Sequence, residues 1–167
     1  EKIVGAREAL VRSLRPDGFD DFARAILTTD KGEKIAEATC RIGKRTARLV
    51  GCAKGAGMIA PNMATTLAFV ATDAAIKRRT LGRLLAAAVD QSFNEISVDG
   101  DTSTNDSLFL FASGRLGNKP LGADDRDGLE AFGDALTALL RDLALQIVRD
   151  GEGATHVVTI EVEGAAS

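Results

Sequence analysis

The sequence predicts an α/β fold in which a mixed sheet is packed by helices, and three observations lead there. Residues 33–42 and 46–53 alternate apolar and polar side chains about Gly43-Lys44, the pattern of an antiparallel hairpin. Residues 76–93 and 129–147 carry apolar side chains at helical spacing. Residues 65–72 and 107–112 are short apolar runs of strand length. The alternation of elements is too irregular for a doubly wound parallel sheet.

In chain order, Ile3, Leu10, Val11 and Leu14 share one helical face, and Pro16-Asp17-Gly18 ends that helix. Phe19, Phe22, Ala23, Ile26 and Leu27 repeat as a second short helix, closed by the polar cluster Thr28-Thr29-Asp30. Ala36, Ala38, Cys40 and Ile42 form the inner side of the first strand, and a turn at Gly43-Lys44 pairs Cys40 with Ala47. A glycine-rich loop from Lys54 then feeds the strand at 65–72. Leu81, Leu84, Leu85, Ala88, Val89 and Phe93 line the clearest helix, with Lys77, Arg78, Arg79 and Arg83 off the stripe. Residues 95–99 read as a short strand, 100–106 as a polar loop, and 107–112 as a buried strand bounded by Gly114. A long helix built on Leu129, Phe132, Leu136, Leu139, Leu140, Leu143 and Ile147 stops at Asp150-Gly151. Residues 155–163 alternate as a half-buried strand, with Val158, Ile160 and Val162 on one side.

The 167 residues suit one domain or part of one, and 45% hydrophobic with 27% charged residues is a globular composition. A net charge of −3 gives no electrostatic case for nucleic acid or an acidic membrane, and no apolar run reaches transmembrane length. The chain starts at Glu1 without methionine and shows no signal peptide, so a trimmed piece of a longer precursor is expected. Cys40 and Cys52 would not lie opposite one another, and with His156 as the single histidine they make no zinc site. Small core thiols in a reducing cytoplasm are the expectation.

Three stretches bear on chemistry. In Lys54-Gly-Ala-Gly-Met-Ile-Ala-Pro-Asn-Met-Ala-Thr65, a flexible loop delivers a hydroxyl to the first position of a strand, where a nucleophile needs open approach and rigid backing. The plainer reading is a threonine that suits a strand start. A phosphate-binding P-loop is excluded, since Lys54 precedes its glycines and the loop runs into a strand. Asp99-Gly-Asp-Thr-Ser-Thr-Asn-Asp106 has Thr104 and Leu110 where an EF-hand needs Gly and Glu, so it reads as a loop tying down its own backbone and binding no metal. Asp150-Gly-Glu152-Gly sets a carboxylate between two glycines just after a helix, where the dipole disfavours it; Glu152 is either a solvated loop acid or a partner for a substrate ammonium.

Taken together and in this order, with Thr28-Thr29-Asp30 upstream, the motifs resemble those of the ornithine acetyltransferase (glutamate N-acetyltransferase) family of arginine biosynthesis, over nearly the whole chain. The resemblance implies a layered α/β sandwich of αββα type in a precursor that cuts itself between Ala64 and Thr65. Residues 1–64 would then end an α chain and residues 65–167 begin a β chain, in an α2β2 heterotetramer. Thr65 is the implied nucleophile, carrying acetyl from N2-acetyl-L-ornithine to L-glutamate, and Thr28, Lys54, Thr65 and Glu152 are the implied substrate-binding residues. No cofactor or metal is implied; acetyl-CoA stays open as a donor, which would add an amino-acid N-acetyltransferase activity.

The family chain is longer, and the resemblance puts its Thr-Gly oxyanion pair upstream of Glu1 and a C-terminal domain beyond Ser167. Thr66 stands where Met or Leu is usual, and His156 where Lys is common. A threonine hydroxyl needs a base, and the α-amine of a freed Thr65, with a pKa of roughly 7.7–8.0, can serve near neutral pH. Two other readings stay open: a related self-processing hydrolase or aminopeptidase, with water as acceptor, and an inactive fragment.

Overall fold

The computed structural model describes residues 2–60, 66–101 and 106–164. Their order is α1 (Lys2–Arg12), α2 (Phe19–Ala25), β1 (Lys34–Ile42), β2 (Arg45–Lys54), β3 (Leu67–Thr72), α3 (Arg78–Asp90), a 3-10 turn (Phe93–Glu95), β4 (Ser107–Ala112) and α4 (Arg126–Arg149). The strands form one four-stranded sheet in the order β1-β2-β3-β4. β1–β2 and β2–β3 are antiparallel and β3–β4 is parallel, so the sheet is mixed, as its sequence implies.

Local chemistry accounts for the hairpin. Gly43 turns at a φ of 60°, which a side chain would resist, and the register that follows pairs Ile42 with Arg45 and Cys40 with Ala47. Cys52 pairs with Ile35, so the two thiols stand apart and both are free. Burial pushes Cys40 up and Cys52 up to about 11, which leaves neither as a thiolate nucleophile.

α4 lies across β1 and β2 and supplies the largest side chains of the core among the helices through Phe132, Leu136, Leu139, Leu140, Leu143 and Ile147, all buried. At Gly51 the sheet makes room for it: a Cβ there would sit 2.9 Å from Leu139 Cδ2 and 3.1 Å from Leu143 Cδ1. A larger residue at position 51 would require Leu139, Leu143 or Val70 to shift. α3 packs beside α4 with Ala88 and Val89 buried. At the far end of α4 the Gln146 amide donates to the Ile35 carbonyl (3.0 Å) and accepts from the Ile35 N–H (3.2 Å). It thereby satisfies part of the free edge of β1 as a neighbouring strand would.

The other face of the sheet carries an aromatic row. Phe69 and Phe109 stack at 5.4 Å, Phe22 from α2 meets Phe69 edge-on at 4.9 Å, and Phe111 extends the row with over half its surface exposed.

Four expectations are corrected. Residues 95–99 are the 3-10 turn followed by irregular chain, tied down by the Val98 N–H donating to the Ile59 carbonyl. The long helix predicted to Phe93 ends at Asp90. Residues 155–163 form no strand: Val158, Ile160 and Val162 are 75%, 81% and 74% exposed, because alternation makes a two-faced segment but cannot supply the sheet edge it needs. Residues 107–112 form a strand as expected but not a buried one, with Phe109 and Phe111 45% and 56% exposed. The expected first helix forms as α1, with no buried residue, and Ile3, Leu10, Val11 and Leu14 all stay exposed. Its apolar stripe has no partner among the described residues.

Candidate functional site

All three singled-out stretches converge on one end of the sheet. Lys54 closes β2 and pairs with Leu67, which opens β3; Leu67 in turn pairs with Ser107, which opens β4. Lys34 opens β1 opposite Ala53, and the C-terminus of α4 arrives at the same end through Gln146 and Asp150.

Of the predicted site residues, the structure brings Thr28 and Lys54 together: the Lys54 ammonium donates to Thr28 Oγ1 at 3.3 Å. Glu152 joins the same glycine loop. Its N–H donates to the Ala56 carbonyl (2.7 Å), and its carboxylate lies 3.4 Å from where a Cβ on Gly57 would stand. A side chain at position 57 would touch this acid and, at 3.5 Å, Asp99 Oδ2 as well. Ala64 and Thr65 fall outside the described residues.

The Asp99–Asp106 stretch does not tie down only its own backbone. Asp99 accepts from Met58 N (2.6 Å) and Ile59 N (2.9 Å), and locally from Asp101 N (3.2 Å). Met58 has a φ of 55°, a strained value for a residue with a side chain, and two successive N–H groups closing on one carboxylate hold it there. Asp106 accepts from Thr66 N, the residue that follows Thr65. Its second oxygen is buried and without a partner among the described residues. Thr102 to Asn105 lie outside those residues.

Asp30, Lys34 and Asp150 are the residues that sequence reasoning missed. Lys34 is 2% exposed and its ammonium sits between Asp30 (2.7 Å) and Asp150 (2.5 Å). The signal was parity: Lys34 shares the inner side of β1 with Ala36, Cys40 and Ile42, so its charge had to find buried partners. Lys34 also offsets the unfavourable meeting of Asp150 with the C-terminus of α4.

The carboxylates respond in two directions. Burial pushes Asp30 up, but the hydrogen bond from Lys34, the N–H groups of Gly55 and Thr28 and the Lys34 charge together hold it below its usual 3.8. For Asp99 burial again opposes, and the N–H groups of Ile59, Met58 and Asp101 win, leaving it low. Burial dominates at Asp106 and raises it despite the Thr66 N–H and the Lys54 charge.

Asp30 and Asp99 therefore contribute stability above the usual carboxylate value that is lost as pH falls through their lowered values. Asp106 contributes in the opposite sense, favouring the fold below that value and losing the contribution as pH rises through its raised one. Asp99→Asn is expected to lower stability at neutral pH and to flatten the loss of stability on acidification below 3.8. Unfolding measured across that range checks this; an acid limb as steep as wild type would contradict it.

A surface hollow between α3 and α4, lined by Leu84, Leu129, Thr137 and Arg141 among others, contains none of these motif residues. The chemistry gathers instead at the loop end of the sheet, where a hydroxyl, an ammonium and a carboxylate are offered together.

Fold and site thus define an α/β protein with a loop-built polar site at one end of a mixed sheet. The sequence model of the ArgJ family matches residues 1–167, and the chain belongs to that family. It is 47% identical over 167 residues to the arginine biosynthesis bifunctional protein ArgJ of Gluconobacter oxydans, covering 100% of this chain and 39% of that one. It is 49% identical over 160 residues to the protein of the same name from Nitratidesulfovibrio vulgaris, covering 96% and 40%. A crystal structure of arginine biosynthesis bifunctional protein argJ from Bacillus halodurans aligns over 52% of this chain and 40% of that one, with 48% identity and a TM-score of 0.49. The chain spans about 40% of the length of these curated relatives. Among the described residues no helix is long and apolar enough to cross a membrane.

Proposed function

We propose that this chain is the central segment of a self-processing, N-terminal-threonine acetyltransferase that moves acetyl from N2-acetyl-L-ornithine to L-glutamate in arginine biosynthesis. The observation that carries the reading is the meeting of Thr28, Lys54 and the Glu152 loop at the strand ends that flank Thr65 in sequence. In this reading Lys54 holds a carboxylate or the acyl oxygen, and Glu152 holds an ammonium. Thr65 acts as nucleophile after cleavage at Ala64–Thr65, with no cofactor or metal. The name "bifunctional" borne by the relatives supports a second reaction, with acetyl-CoA as donor to glutamate. The exposed aromatic row of Phe69, Phe109 and Phe111 supports the αββα layering, with a second sheet against that face. An α2β2 assembly in the cytoplasm completes the reading, with residues 1–64 in the α chain and 65–167 in the β chain.

The test is an N-acetylornithine assay of the full-length protein with and without glutamate, alongside intact mass. Two chains and glutamate-dependent transfer are expected. Acetate release that ignores glutamate would turn the reading to the hydrolase. One uncut chain with no acyl-enzyme would turn it to an inactive protein.

Glu152→Gln removes the charge that faces the substrate ammonium while leaving the Ala56 contact, which uses the backbone. A hydrogen bond to a charged group contributes about 1.5–3 kcal/mol, so the KM for N-acetylornithine should rise roughly tenfold or more. Self-cleavage should stay complete. Wild-type affinity in this variant would remove Glu152 from the site.

A further inference from the structure

We infer that Asp30, Lys34 and Asp150 act as one positioning device that fixes Thr28, Lys54 and Glu152 relative to one another. The inference rests on the acetyltransferase reading above for what those three residues bind.

Asp30 has no exposed side-chain surface, and both of its oxygens are committed. Oδ1 accepts from Gly55 N (2.7 Å), the peptide next to Lys54, and from Lys34 Nζ (2.7 Å). Oδ2 accepts from Thr28 N (3.2 Å). One carboxylate thus sets the backbone of Thr28 and of the Lys54 loop together, and the Lys54–Thr28 side-chain contact is built on that base. Lys34 Nζ also donates to Asp150 Oδ2 (2.5 Å) and to the Gly32 carbonyl (3.3 Å). Asp150 in turn accepts from Lys31 N (3.0 Å), in the loop that carries Thr28. Two residues on, the Glu152 N–H returns to the glycine loop at Ala56.

The circuit is closed: each of the three loops is fastened to another through the cluster. A buried ammonium cannot leave its acids without exposing an unpaired charge, so the loops are confined to one arrangement. A substrate site built on loops needs such support to hold its groups within a fraction of an ångström. Thr28, Lys54 and Glu152 are read as gripping the substrate throughout the reaction, so loosening them should appear in KM before kcat.

The test uses Asp30→Asn and Asp150→Asn in the full-length protein. Asparagine keeps the shape, but its amide nitrogen cannot accept a hydrogen bond. Self-cleavage should stay complete, the KM for N-acetylornithine should rise about tenfold or more, and kcat should stay close to wild type. Hydrogen exchange at the Thr28 and Gly55 amides should quicken in both variants. Folded, processed variants with lower stability but wild-type KM would show a merely structural cluster and overturn the inference. Should Asp30→Asn fail to fold, Asp150→Asn decides by the same criterion, because its carbonyl oxygen can still accept from Lys34. If the wild type itself neither cleaves nor transfers acetyl, the functional reading fails separately. Exchange then decides on the device: unchanged Thr28 and Gly55 amides in Asp150→Asn would overturn it.

Discussion

Replacing Thr65 by alanine in the full-length protein is expected to abolish both self-cleavage and acetyl transfer and to leave one intact chain. On the proposed reading, the Thr65 hydroxyl of the precursor would attack the Ala64 carbonyl and the peptide C–N bond would break. The acyl group passes to oxygen as an ester, and the Thr65 nitrogen leaves as a free amine. Water opens the ester, returning the hydroxyl. On the proposed reading, that hydroxyl in the mature enzyme would attack the acetyl carbonyl of N-acetylornithine, with the α-amine of Thr65 taking its proton and ornithine leaving as an amine. The amine of glutamate then attacks the acetyl ester.

Thr65→Ser should retain part of both reactions, because the hydroxyl remains. Thr66→Ala should process normally: Thr66 presents its N–H to Asp106, and alanine keeps that donor. Transfer should rise with pH through the α-amino pKa, near roughly 8. Intact mass with N-terminal sequencing decides. A chain starting at Thr66, or an active enzyme with no break, would refute the assignment.

The second large effect is on stability. Phe132→Ala should cost about 3–5 kcal/mol, the range for emptying a fully buried aromatic position. Phe132 is 0% exposed in the core beneath the sheet, so the cavity has no route for solvent to fill it cheaply. At 1.5 Å per residue, Phe132 lies roughly 27 Å along α4 from Asp150, so the loop end of the sheet should be spared. A lowered unfolding midpoint with an unchanged KM is the expected pair of results. A loss below about 1 kcal/mol would mean that the core collapses onto the vacancy far better than large-to-small substitutions usually allow.

Elements whose partners lie close in sequence were legible in advance. The pairing of Cys40 with Ala47 followed from one glycine turn and a period of two, and the buried face of α4 from its leucine spacing. Segments whose partners are distant or absent were not. Residues 155–163 and α1 advertise an apolar side, but no local pattern says what will cover it. The charged cluster was hidden for the same reason: Lys34 meets Asp150 across 116 positions, and Asp99 closes on Met58 across 41. The resemblance named Thr28, Lys54 and Glu152 as residues that touch substrate. It was silent on the acids and the lysine beneath them, which short motifs record only as neighbours.

The seam between β2 and β3 has a consequence for what the cut produces. The six pairs from Leu49–Thr72 to Lys54–Leu67 join strands on opposite sides of the Ala64–Thr65 bond, and α4, from the later side, rests on β1 and β2 from the earlier. Cleavage would therefore sever the backbone without parting the pieces, which stay interleaved as strands of one sheet. Within residues 1–167 the earlier side holds β1 and β2 and the later side β3, β4 and α4, so each side lacks sheet and helix partners that the other supplies. The two products should thus co-purify in equal amounts and come apart only in denaturant. Expressed from separate genes, they should rejoin poorly unless they meet while both are still unfolded.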